Sequence, residues 1–62
     1  MRYLLWELRT AQGLTLRQLE ELSGVSKTEI NNIENGKANP TITTLQLLAA
    51  GLKVELPELF TV

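Results

Sequence analysis

Residues 15–36 read TLRQLEELSGVSKTEINNIENG, and the fold is legible from them outward. Leu16, Leu19 and Leu22 recur at the spacing of one helical face. Thr15 stands before them as an N-cap, with Gln18 three residues later to complete a capping box and Leu14 placed to staple onto Leu19. Ser23-Gly24 ends this helix and Val25 fills the corner. Ser26 then caps a second short helix with Glu29 at its third position. Ile30 and Ile33 are its apolar side, and Asn35-Gly36 is its end. Lys27, Thr28, Asn31 and Asn32 therefore fall mostly on the opposite side.

No segment of the chain alternates cleanly, and the apolar residues instead recur at three and four, so the sequence reads as all-α. Leu4, Leu5, Leu8 and Ala11 mark a first helix, which Gly13 stops through the left-handed conformation that glycine tolerates. Beyond Gly36 lies a polar loop, KANP. Thr41 or Thr43 then opens a fourth helix with apolar positions Ile42, Leu45, Leu48, Ala49 and Leu52. Leu56 and the PELF turn, with Pro57 suited to a first helical position, predict a fifth. The expectation is one compact five-helix domain over residues 1–62, with a helix-turn-helix at about 15–35.

Composition narrows the function. The 62 residues include no cysteine and no histidine, which removes disulfides, thiolate metal sites, the usual zinc ligands and the commonest catalytic base. Neither a cofactor nor a metal is implied, and no carboxylate pair suggests an enzyme. The longest apolar run, LLAAGL, falls far short of the ~20 residues that span a membrane. MRYLLWELR carries Glu7 in its apolar run and lacks a small-residue cleavage site, which argues against a signal peptide. A cytoplasmic location is the expectation. Six basic against seven acidic residues give a net charge of −1, an unusual balance for a nucleic-acid-binding domain.

Two helices joined by a short glycine-containing turn have the spacing of a helix-turn-helix, whose second helix can lie in the DNA major groove. The fragments LRTAQGLT, LRQLEELSGVSKTEI, NIENGKANPT and LQLLAAGLKVELPELF, in this order, resemble the Cro/C1-type (XRE-type) helix-turn-helix transcriptional regulators over essentially the whole chain. The resemblance implies a lambda-repressor-like fold and a regulator, most simply a repressor, that binds double-stranded DNA at a palindromic operator as a homodimer. It also implies base contacts from Lys27, Thr28 and Asn32, with Asn31 close behind. Their chemistry suits the role. Asparagine pairs bidentately with adenine N6 and N7, lysine reaches guanine O6 and N7, and the threonine methyl touches thymine. Phosphate contacts are expected from Thr15, Arg17, Ser26, Asn35, Lys37 and Asn39, which flank the reading face. The resemblance further implies a partly buried ion pair between Arg9 and Glu34, fixing the end of the third helix against the first.

Two positions depart from the family pattern. Leu16 stands where a phosphate-gripping glutamine is common, and Glu20 where a small alanine usually lets the motif helices pack. A carboxylate at position 20 must tilt outward or find a partner. Three cations, Arg17, Lys27 and Lys37, could still converge on one face despite the acidic balance. For pairing, Leu52, Val54, Leu56 and Val62 are expected to form an exposed apolar patch, Leu59 and Phe60 to lie in the core, and Trp6 either to pack on the terminal turn or to lie at an interface. The competing reading is an antitoxin-like protein-binding module on the same fold, which the acidic balance and Glu20 favour.

Overall fold

The computed structural model describes residues 2–61. In chain order these form a short strand β1 (Arg2–Tyr3), helices α1 (Leu5–Ala11), α2 (Leu16–Ser23), α3 (Lys27–Glu34) and α4 (Ile42–Leu52), a 3₁₀ turn at Leu56–Leu59, and β2 (Phe60–Thr61).

The helix boundaries follow local chemistry. The Thr15 hydroxyl accepts from Gln18 N–H at 3.1 Å while the Gln18 side chain accepts from Thr15 N–H at 2.8 Å, so both partners of the capping box are present. Ser26 and Thr41 cap α3 and α4 in the simpler way, each accepting the N–H three residues on. Gly24 closes α2 at φ +78°, donating its N–H to the Glu20 carbonyl at 2.8 Å. A side chain would resist that left-handed backbone.

The core is continuous. Leu5, Leu19, Val25, Ile30, Ile33, Leu45, Leu48, Ala49, Leu52 and Leu59 are buried, and Leu14, Leu16, Leu8 and Phe60 pack on their margins. α2 lies between its partner α3 and α4. Where α2 meets α4, a Cβ built on Gly51 would stand 2.9 Å from Ser23 Cβ and 3.1 Å from Ser23 Cα and N. Ser23 is itself fixed, its hydroxyl donating to the Leu19 carbonyl at 2.7 Å and accepting from Val25 N–H at 3.1 Å. The helix-turn-helix corner is thus held from both sides.

Three expectations are corrected. Among the described residues there are four α-helices, not five: Leu56–Leu59 forms a four-residue 3₁₀ turn with Pro57 in its first turn, closed by Glu58 N–H bonding to the Glu55 carbonyl, and Phe60 leaves it extended. The chain is not wholly helical, because β1 and β2 pair antiparallel, Arg2 with Thr61 and Tyr3 with Phe60. Two-residue strands are too short to show alternation in the sequence. Third, the anticipated apolar patch does not form as drawn. Leu52 is 1% exposed in the core, Val54 and Leu56 are half-buried, and Val62 lies outside the described residues. Among the described residues the exposed large apolar side chains are Trp6, Leu22, Ile42 and Leu47.

Candidate nucleic-acid interface

α3 carries its two isoleucines inward, Ile30 at 0% and Ile33 at 2% exposure. That commitment fixes the opposite face: Lys27, Thr28 and Asn31 are exposed and Asn32 is half-buried. Lys27 has no ion-pair partner among the described residues, and the Asn32 side chain makes no hydrogen bond there. The Asn31 amide is engaged, its Oδ1 accepting from Asn35 Nδ2 at 3.1 Å.

A bidentate ion pair holds the far end of this helix. Arg9 Nε donates to Glu34 Oε2 at 2.7 Å and Arg9 Nη2 to Glu34 Oε1 at 3.0 Å, while Nη1 donates to the Leu14 carbonyl at 2.8 Å. The side chains are 12% and 5% exposed. Hydrogen bonding to Glu34 raises the Arg9 pKa, against the opposing effect of burial and together with the charge of Glu34. One guanidinium therefore ties α1 to both the loop before α2 and the end of α3.

The flanking groups are open to solvent. Thr15, Arg17, Ser26, Asn35, Lys37 and Asn39 are all exposed. The hydroxyl oxygens of Thr15 and Ser26 cap helices, yet each O–H remains able to donate to a phosphate. Arg17 Nε lies 3.5 Å from Glu21 Oε1, both well exposed, so the pair is weak and open to exchange. Lys37 has its N–H tied to the Asn32 carbonyl at 2.8 Å while its side chain is exposed.

One feature was not foreseen. A surface groove of about 580 Å³ runs between Tyr3 and Trp6 on one side and Asn35, Gly36 and Asn39 on the other. Trp6 is 54% exposed at its edge, and Arg2 pairs with Glu7 beside it. The β1–β2 ribbon brings Arg2 and Tyr3 here, and two-residue strands gave no periodic signal to announce it.

A model of the HTH_3 helix-turn-helix family matches residues 7–59. The chain belongs to that family. It is 43% identical over 54 residues to the transcriptional regulator PuuR of Escherichia coli K12, covering 87% of this chain and 29% of PuuR. It is 38% identical over 53 residues to the control protein C.SmaI of Serratia marcescens, covering 86% of this chain and 63% of that protein. The crystal structure of the restriction-modification controller protein C.AhdI from Aeromonas hydrophila superposes with a TM-score of 0.87 at 39% identity, covering 90% of this chain and 85% of that one. The chain thus spans under a third of PuuR and under two thirds of C.SmaI. PuuR is a transcriptional regulator and C.SmaI a control protein, and no helix among the described residues is long and apolar enough to cross a membrane.

Within this HTH_3 domain the two departures have distinct consequences. Leu16 is half-buried against the core, so it adds packing where a glutamine would add a polar contact. Glu20 is half-buried with no ion-pair partner among the described residues. Its carboxylate therefore depends on solvent.

Proposed function

We propose that this chain is a sequence-specific operator-binding regulator that sets α3 into the major groove, pairing as a homodimer over a two-fold symmetric site. The observation that carries the reading is the division of α3: Ile30 and Ile33 anchor it rigidly while Lys27, Thr28, Asn31 and Asn32 lie off the core. Lys27, Thr28 and Asn32 supply base contacts, and Thr15, Arg17, Ser26, Lys37 and Asn39 supply phosphate contacts. Occupying the operator represses by blocking polymerase.

The dimer reading has its own support. α4 carries no charged residue from Ile42 to Leu52, and Ile42, Thr43, Gln46, Leu47 and Ala50 are exposed. A two-fold contact sets each residue near its own copy, so an uncharged face pairs without like-charge repulsion. Recognition helices in such a dimer meet half-sites about 34–36 Å apart.

Selection from a random duplex library tests this, followed by titration of the enriched site against salt. A palindromic site is expected. With only Arg17, Lys27 and Lys37 per subunit as candidate cations, the slope of log K against log salt should be no steeper than about −5. Asn32→Ala should relax the preference at one base pair per half-site, whereas Lys37→Ala should weaken all sequences alike. Absence of enrichment at low salt would hand the polar face of α3 to a protein partner.

A further inference from the structure

Asn31 and Asn35 sit one helical turn apart on the exposed surface of α3, and their side chains are joined by a single directed bond from Asn35 Nδ2 to Asn31 Oδ1. Asn35 is well placed to hold that direction. It is the C-cap of α3, its own N–H bonds to the Asn31 carbonyl at 3.0 Å, and the next two residues are tied back by Gly36 N–H to the Ile33 carbonyl and Lys37 N–H to the Asn32 carbonyl. An amide nitrogen, the positive end of its dipole, is also the favoured group at the negative end of a helix.

The bond changes what Asn31 presents. Bidentate pairing with adenine needs the oxygen and nitrogen of one amide side by side against N6 and N7. With Oδ1 turned along the helix toward Asn35 and one of its two lone pairs taken, the atom turned toward a base is Nδ2, a donor only. Asn32 has no such tether, so both of its amide atoms remain available. Two adjacent asparagines that look equivalent in the sequence are thereby made different.

We propose that Asn35 is a specificity-setting residue, which orients Asn31 to donate into the major groove and so to favour guanine, through O6 and N7, or thymine, through O4, over adenine, whose one acceptor N7 stands beside the N6 donor, while adenine readout is left to Asn32. This rests on the reading of α3 as the major-groove helix. It moves Asn35 from the phosphate contacts to a positioning role.

The test uses the full chain, the enriched duplex and its single-base variants, with the position under Asn31 identified as the one whose preference Asn31→Ala erases. Wild type should favour guanine or thymine there by about fivefold or more. Asn35→Ala should let adenine in at that position and leave the others unchanged. Asn35→Asp should go further, because a carboxylate accepts only: it draws Asn31 Nδ2 toward itself, turns Oδ1 outward, and shifts the preference to the donors of cytosine N4 or adenine N6. The added negative charge lowers affinity for every duplex, so the relative preference is the readout. Both substitutions are at an exposed position, and cooperative melting close to that of wild type, slightly lower for Asn35→Asp because a carboxylate then stands at the negative end of α3, should show that the fold is intact. A wild-type preference for adenine under Asn31, or an Asn35→Ala variant that weakens all sequences by one common factor, would overturn the assignment. A wild-type chain that enriches no duplex removes the reading of α3 itself, and this inference with it.

Discussion

At the scale of single residues, Gly51 and the Arg9–Glu34 pair show how local context sets the sign of an effect. Replacing an interior helical glycine by alanine ordinarily stabilises by ~1 kcal/mol. At Gly51 the added Cβ meets the Cβ, Cα and N of Ser23, two of them backbone atoms with little room to yield. Gly51→Ala is therefore expected to destabilise by about 1–3 kcal/mol, read as a lowered midpoint in thermal or urea unfolding; a raised midpoint would show that α2 and α4 slide apart freely. Arg9→Ala and Glu34→Ala should each cost about 3 kcal/mol, because each leaves a largely buried charge without its partner. Arg9→Met combined with Glu34→Leu should melt above either single alanine variant, since it removes both charges. The raised Arg9 pKa fixes the pH sense. Stability from a raised pKa is full below the unfolded value and lost as pH rises through the folded one, so for an arginine the contribution is constant near neutrality and wanes only in strong alkali.

At the scale of elements, caps and turns explain what the sequence made legible. Thr15 with Gln18, Ser26 before α3, and Ser23-Gly24 are local signals that stand where their chemistry requires, although the Glu29 side chain does not return to Ser26 as a capping box would have it. Apolar spacing likewise located all four α-helices. It failed where an element was too short or its burial depended on distant parts of the chain. Leu52 looked available for an interface but closes the core, whereas Leu22 and Ile42 share the helical spacing of core residues and lie exposed. On α3 the exposed face was legible from Ile30 and Ile33, but the Asn35 tether on Asn31 depends on rotamers that spacing does not encode. One cap departs from the expected chemistry: α4 ends on Lys53 in the left-handed region, at φ 60° and ψ 42°. That backbone costs a non-glycine residue roughly 1–2 kcal/mol, partly offset by the attraction of a cation to the helix C-terminus, ~0.3–1 kcal/mol, and by glycine's greater freedom when unfolded. Lys53→Gly should leave a gain of a few tenths to about 1 kcal/mol, seen as a higher melting temperature; a decrease would mean that the charge outweighs the strain.

At the scale of the whole molecule, a net charge of −1 leaves little long-range attraction to DNA, so on the proposed reading affinity comes from local contacts used twice. Pairing two subunits does this without adding charge, provided the joining face is neutral. α4 offers such a face, and Leu47 is a 44% exposed apolar residue on it. Leu47→Glu sets two carboxylates near the two-fold axis in an isologous contact while leaving the buried Leu45, Leu48 and Leu52 untouched. The variant should keep the wild-type melting behaviour measured at low concentration, sediment as a monomer at concentrations where wild type is dimeric, and bind an isolated half-site as wild type does. Its affinity for the full palindrome should fall toward that of the half-site, because the advantage of linked binding disappears once the subunits separate. If Leu47→Glu remains dimeric, α4 is not the joining face, and the exposed Trp6 beside the groove becomes the next surface to substitute. If wild type itself sediments as a monomer yet grips the palindrome cooperatively, pairing occurs only on DNA. Leu47→Glu should then lower the cooperativity while the affinity for one half-site stays fixed.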